Sequence, residues 1–179
     1  MQNFYCNEDS DVIEVGVDEA GRGPLFGRVY SAAVVLPKTN FDYSLLKDSK
    51  KFTSKKKINE VYEYIKENAL YWSVSYESEK TIDEINIRRA THKCMHSSIV
   101  DLIEKNNIDP EYCLLLIDGN DFTKLFYKEK HISSITIISG DSSYRSIAAA
   151  SILAKVERDK YIEELCTLNP YLSEKYGIN

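Results

Sequence analysis

Strand-like and helical segments alternate along this chain, and that order predicts an α/β fold in which a mixed sheet is flanked by helices. Three observations carry the prediction. Short segments rich in β-branched and aromatic residues recur between stretches of helical period. The first two strand-like segments are joined by a short Gly-rich connection, which suggests an antiparallel pair. A long alanine-rich helical segment near the end has small side chains that let a helix lie close to a sheet. The length of 179 residues, with 43% hydrophobic and 28% charged side chains, fits one domain with a proper core and excludes wholesale disorder.

Each element has its own signal. Residues 1–12 carry Glu8, Asp9 and Asp11 with no basic residue and no apolar period, and are expected to form a mobile lead-in to a domain spanning 13–179. Glu14 to Asp18 (EVGVD) alternates as a strand, Gly21-Arg22-Gly23-Pro24 punctuates it, and Val29 to Leu36 (VYSAAVVL) is a second, mostly buried strand. Ile58, Val61, Tyr62 and Ile65 are spaced as one helix face. Ala69 to Tyr76 (ALYWSVSY) reads as a third strand. Thr81-Ile-Asp-Glu84 is a capping box in sequence and predicts a long helix running to Asn106-Asn107. Cys113 to Asp118 (CLLLID) is a buried strand that stops at Asp-Gly, and Ile132 to Ile138 is another short strand. From Ser142 to about Leu165 the pattern is helical, with Ala148, Ala149, Ala150, Ser151 and Ala154 as its small residues.

With 23 Lys and Arg against 28 Asp and Glu, the formal charge is −5. That total argues against nonspecific nucleic-acid binding through global charge, although it says nothing about where the charges sit. The four cysteines, Cys6, Cys94, Cys113 and Cys166, form no C-x-x-C pair and suit a reducing compartment. The polar, acidic beginning has no apolar signal region, and the longest apolar runs fall far short of the roughly 18–20 residues of a membrane span. A soluble intracellular protein with no membrane partner is expected.

The chemistry-bearing residues sit at strand ends. Asp18, with Glu19 beside it, ends the first strand before the Gly-rich turn; Asp118 ends CLLLI before Gly119; Asp141 follows Ser139-Gly140 at the last helix. Any one of these acids alone is an ordinary turn residue or helix cap. Four acids in three such places form a pattern that suits hard cations, Mg²⁺ or Mn²⁺ rather than Zn²⁺. Adjacent Asp18 and Glu19 would point to opposite faces of a regular strand, so a twist or bulge is expected if both serve one site. His92 and His96 have the i, i+4 spacing of a zinc helix, but no second ligand pair accompanies them and a packing role is expected. The chain offers no histidine placed as a general base, which favours metal-activated water.

Around these residues the sequence resembles the type 2 ribonucleases H, the ribonuclease HII family. The resemblance rests on Val17-Asp18-Glu19-Ala20-Gly21-Arg22-Gly23-Pro24, Asp48-Ser49-Lys50-Lys51, Ile82 to Ile87, Ile117-Asp118-Gly119, Gly140-Asp141-Ser142, and Ser146 to Val156 with Arg158-Asp159. It implies a ribonuclease H-like fold with a five-stranded mixed sheet. It also implies endonucleolytic hydrolysis of RNA in RNA–DNA hybrids and at ribonucleotides embedded in duplex DNA, leaving 3′-hydroxyl and 5′-phosphate ends. Asp18, Glu19, Asp118 and Asp141 match the family's catalytic, metal-binding acids, which hold two divalent ions, Mg²⁺ or Mn²⁺, during catalysis. Gly21, Arg22 and Gly23 match the turn whose backbone contacts the ribose 2′-hydroxyl, the group that separates RNA from DNA. A monomer is expected, with accessory subunits left open.

Substrate affinity must come largely from phosphate contacts, and Lys50, Lys51 and Arg158 are the candidates for them. Lys50 and Lys51 belong to a stretch, 47–57, with six lysines against Asp48 as its one acid. Lys155 and Arg158 lie three apart on the last helix and are read as facing phosphate or the acid cluster, or equally as forming a structural ion pair. The chain departs from the family pattern in three places. Arg28 stands where a proline is common, and Ser143-Tyr144-Arg145 puts a cation two positions later than usual after Asp141. The lysine-glycine-tyrosine-glycine-threonine element that follows in the family is absent after Tyr176-Gly177, so 13–179 is expected to be a C-terminally truncated catalytic core.

Overall fold

The computed structural model describes residues 1–6, 10–24 and 26–176; Glu8 and Asp9 of the expected lead-in and the final Gly-Ile-Asn lie outside this set. Three antiparallel strands open the sheet: β1 (Ile13–Ala20), β2 (Val29–Val35) and β3 (Tyr71–Glu77). Between β2 and β3 runs α1 (Lys55–Asn68), capped by Ser54, whose hydroxyl accepts from the Lys57 amide. After β3 come α2 (Glu79–Ile85) and α3 (Ile87–Lys105), then β4 (Cys113–Asp118). A two-rung hairpin of β5 (Phe126–Tyr127) and β6 (Lys130–His131) precedes β7 (Ser133–Ile137). The chain closes with α4 (Gly140–Ser143), α5 (Arg145–Leu168) and α6 (Tyr171–Tyr176).

The main sheet has the order β3-β2-β1-β4-β7, with β1–β4 and β4–β7 parallel. It is the mixed five-stranded sheet flanked by helices that the sequence predicts. Alternation along the strands feeds two cores. Val15 and Val17 of β1, Ala33 of β2 and Leu115 and Ile117 of β4 face Met95, Ile99 and Leu102 of α3. Ala32 and Val34 of β2 face Tyr62 and Ile65 of α1 and the alanine-rich part of α5. Because both faces are covered, β2 is buried throughout, which is why it reads as a continuous apolar run. The approach of α5 to β1 is closest at Gly16, where a Cβ would fall inside the backbone of Ser146. Among the described residues no helix is long and apolar enough to cross a membrane.

Two expectations are corrected. Thr81 does not cap a long helix: Ser78 is the cap, accepting from the Thr81 amide, and the expected single helix is broken at Asn86. Asn86 has φ 69°, and its side-chain oxygen accepts from the Arg89 amide, so it ends α2 and starts α3 with one residue. The last helix is likewise interrupted at Tyr144, whose backbone is extended (φ −127°, ψ 136°). The cause is the segment expected as a mobile lead-in. Gln2 pairs with Tyr144 as a bridge, donating to the Ser143 carbonyl and accepting from the Arg145 amide, while the amides of Tyr5 and Cys6 donate to Glu14. These bonds tie residues 2–6 to the domain and replace the helical bonds lost at Tyr144.

Candidate active site

The parallel ladder between β1 and β4 ends at Val17↔Ile117, so Asp18 and Asp118 follow side by side at the same end of the sheet. Asp18 lies on the α5 face of β1, two residues after Gly16, and is only 5% exposed. Its carboxylate accepts from the Glu19 amide at 2.7 Å, and Ser151 of α5 also hydrogen-bonds to it. Asp118 Oδ1 accepts from the amides of Gly140 (2.7 Å) and Asp141 (3.3 Å), so the turn after β7 is wrapped onto the end of β4. Asp141, 5% exposed, stands immediately behind that contact.

Asp18, Glu19 and Asp118 line one cleft of about 380 Å³, together with Gly21, Arg22 and Gly23, Lys50, Ser151, Lys155, Arg158 and Asp159. The expected bulge is not there: β1 pairs with β2 in unbroken register through Ala20↔Tyr30. Glu19 reaches the cleft because β4 has stopped pairing beside it, which opens the strand end to both faces. Arg22 turns back to Glu19, Nη1 to Oε1 at 3.8 Å. Gly21 has φ 103°, and a Cβ there would lie 2.5 Å from the Arg28 carbonyl and 2.8 Å from Arg158 Nε, so the turn needs glycine on both counts. Gly23 faces open space.

Lys50 is delivered by a short 3₁₀ turn, Ser49–Lys51, that Asp48 caps. Ser49 anchors the turn on Ser151, Oγ to Oγ at 2.9 Å, and Lys50 Nζ then stands 3.4 Å from Asp141 Oδ2. Lys51 is not part of the cleft lining; it is exposed and its nearest acid is Asp48, at 3.9 Å. Arg158 lines the cleft but donates Nη2 to the Phe26 carbonyl at 3.1 Å, so it supports the turn from below. Asp141 is absent from the lining, held behind Lys50.

The charges are set by burial and crowding. Burial, then the Glu19 and Asp118 carboxylates, hold Asp18 well above the ordinary aspartate range. Burial also raises Glu19, against the pull of Arg22, with Asp118 adding to the rise. Asp118 is raised by burial and by Asp141, opposed by the two amides it binds and by Lys50. Lys50 is raised, chiefly by Asp141. Of the cations here, Arg22 is matched by Glu19, Lys50 by Asp141 and Lys155 by Asp159. Among the described residues Asp18, buried, and Asp118, half-buried, have no ion-pair partner, and two adjacent carboxylates in that position suit a hard cation. The donor set therefore fits such an ion in chemistry. No three His, Cys, Asp or Glu side chains among the described residues are gathered as a ready ligand set, so the acids would have to close on it.

Two cleft residues, Ser151 and Asp159, escape a reading of the sequence for function. With Lys155 they follow one face of α5 at i, i+4 and i+8, a spacing that also belongs to any helix with an ion pair, and Lys155 is in such a pair, 2.8 Å from Asp159. His92 and His96 hold the segment after β4: His92 Nδ1 is 2.8 Å from Thr123 Oγ1 and His96 Nε2 2.8 Å from the Thr123 carbonyl, which is the packing role expected of them. A larger depression over α3, about 610 Å³, is lined by these histidines with Arg88, Arg89 and Lys93 and contains none of the four acids.

Comparison with known proteins bears on the fold and the family. The Ribonuclease HII family model matches residues 15–176. Ribonuclease HII of Bacteroides thetaiotaomicron is 47% identical over 167 residues, which cover 93% of this chain and 76% of the relative. The crystal structure of ribonuclease H2 from Pyrococcus horikoshii superposes with a TM-score of 0.70 at 26% identity, covering 92% of this chain and 77% of the other. Bst-RNase HIII, solved in complex with Mn²⁺, shares the fold with a TM-score of 0.71 at 21% identity over 89% of this chain and 56% of its own. The fold is thus the ribonuclease H-like fold of those enzymes, and the chain belongs to the ribonuclease HII family.

Proposed function

We propose that this chain hydrolyses the RNA strand of RNA–DNA hybrids, and cuts at ribonucleotides embedded in duplex DNA, leaving 3′-hydroxyl and 5′-phosphate ends. The observation that carries the reading is the pair Asp18 and Asp118 at adjacent strand ends, facing the Gly21-Arg22-Gly23 turn across one cleft. Asp18, Glu19, Asp118 and Asp141 would hold divalent ions, Mg²⁺ or Mn²⁺, two per site during catalysis. Bound there, such ions supply an activated water and stabilise the leaving oxygen.

The protein's own groups do the rest. The backbone of Gly21 to Gly23 approaches the ribose closely and reads its 2′-hydroxyl. Arg22 and Lys50, at the cleft wall, orient the phosphates on either side of the scissile bond. Lys51, exposed beside the cleft, extends the phosphate contact outward, and Arg158 keeps the turn at its working height. Lys50 Nζ, 3.4 Å from Asp141, would be free for phosphate were Asp141 to hold an ion instead. The proposed partners are hybrid duplexes and duplex DNA containing ribonucleotides.

The test is cleavage of duplexes with zero, one and four ribonucleotides, in Mg²⁺ and in Mn²⁺. Asp18→Asn and Asp118→Asn should each lose at least about 10²-fold in rate, since even residues that only support metal ligands are worth 10–100-fold. Undiminished cleavage by both variants would remove the reading, and hybrid binding without turnover in either metal would replace it with a binding module.

A further inference from the structure

We propose that Arg28 is a positioning residue for ribose recognition: clamped between two tyrosine rings, it fixes the return of the β1–β2 turn and thereby the height of the Gly21-Arg22-Gly23 backbone. The inference rests on the hybrid-nuclease reading of the same site and adds a residue that departs from the family pattern.

The clamp is drawn from three elements. The Arg28 guanidinium lies 4.3 Å from the ring centroid of Tyr76 on β3 and 4.3 Å from that of Tyr161 on α5, so its two faces are both covered. Glu79, in the first turn of α2, closes the edge: Oε2 is 3.8 Å from Arg28 Nε, and the Tyr161 hydroxyl donates to Oε1. Tyr30 packs against both rings, 5.5 Å from Tyr76 and 6.1 Å from Tyr161. A planar cation fills this slot in a way that an ammonium does not.

The consequence reaches the site through the main chain. The Arg28 carbonyl is the atom that a Cβ on Gly21 would strike at 2.5 Å, so the exit of the turn lies directly against its entrance. Arg158 supports the same turn at the Phe26 carbonyl. With the side chain of residue 28 held by β3, α2 and α5, its backbone cannot swing outward, and Gly21 has nowhere to relax. A shift of a few tenths of an ångström at a backbone meant to meet a 2′-hydroxyl costs recognition of that group first, and general duplex binding last.

The experiment compares the full chain with Arg28→Ala and Arg28→Lys. Dissociation constants are measured by fluorescence anisotropy in EDTA, for duplex DNA with one ribonucleotide and for the all-DNA duplex. Amide exchange is followed at residues 21–23. Both variants should lose ribonucleotide preference, by about fivefold for Arg28→Ala, the size of one good cation–π contact. Affinity for the all-DNA duplex should hold, and exchange at 21–23 should quicken while the strands of the sheet stay protected. Arg28→Lys keeps the charge and guards against a variant that fails to fold. Preference retained in both variants, or an equal fall in both affinities, overturns the clamp. A parent chain with no preference at all would overturn the hybrid-nuclease reading and the clamp with it.

Discussion

Asp18 concentrates the electrostatics of the site in one side chain. It is buried, flanked by Glu19 and Asp118, and lacks an ion-pair partner among the described residues, so its proton is held far more tightly in the folded chain than in the unfolded one. Glu19 and Asp118 are shifted the same way. In the interval between the ordinary carboxylate value, about 4, and the raised values, the folded state binds more protons than the unfolded state. Stability contributed by these groups is therefore complete below pH of about 4 and is lost as pH rises through the raised range. Metal-dependent cleavage should run the opposite way, rising with pH through the same window because the cation needs the ionised acids. Asp18→Asn should flatten the stability profile and raise Tm at neutral pH by roughly 2–4 °C for each kcal/mol of repulsion removed. Thermal melts of the two proteins across pH 4–8 check this, and parallel profiles would mean that Asp18 is already neutralised. The acids themselves are legible in the sequence, because carboxylates at glycine-flanked strand ends have no packing reason to be there. Lys51 is less so: its place outside the cleft follows from how Ser49 pins the 3₁₀ turn to Ser151, a contact between residues 102 apart in sequence.

At the scale of elements, the site depends on how closely α5 lies on β1. Gly16 is two residues from Asp18, on the same strand face, and a methyl group there would enter the main chain of Ser146. Ser146 sits in the first turn of the helix that carries Ser151, Lys155, Arg158 and Asp159 into the cleft. Neither a strand nor a helix backbone can yield locally, so Gly16→Ala should cost about 3 kcal/mol and lower Tm by roughly 6–12 °C. Gly140→Ala is the useful contrast. Its methyl meets mainly the end of the Ile147 side chain, at 2.6 Å, which can turn aside, so the stability cost should be nearer about 1 kcal/mol. Equal melting temperatures for the two variants would contradict this account of the α5–β1 contact. The succession of strands and helices along the chain and the small residues of α5 are readable from local pattern, since period and side-chain size are properties of the segment itself; the order of the strands in the sheet is not. The breaks at Asn86 and Tyr144 are not. Asn86 follows an uninterrupted helical period, and Tyr144 is extended because Gln2, at the far end of the chain, pairs with it.

For the molecule as a whole, the formal charge of −5 looks wrong for a partner made of phosphate, and the site resolves the discrepancy. Two divalent ions, +4 together, would leave about −1, and Lys50 at the cleft, with Lys51 exposed next to it in sequence, supplies positive charge there. Duplex binding should then depend on few phosphate contacts and on the metal. Each phosphate neutralised releases counterions and adds about −0.9 to the slope of log K against log salt. Lys51, 63% exposed with only Asp48 near it, is free to make one such contact, so Lys51→Ala should reduce the magnitude of that slope by about 1. Lys50 is 80% exposed at its side chain yet touches Asp141, so it stands between the acid cluster and the proposed phosphate track. Lys50→Ala should lose a similar increment of slope and, in addition, lower turnover at saturating substrate, because the phosphate beside the scissile bond loses the ammonium that orients it. The measurement is a salt titration of hybrid binding for the parent and both variants, with cleavage rates taken at one salt concentration. If neither lysine changes the slope, the phosphate track lies elsewhere on the surface, and the basic depression over α3 with Arg88, Arg89 and Lys93 becomes the place to look.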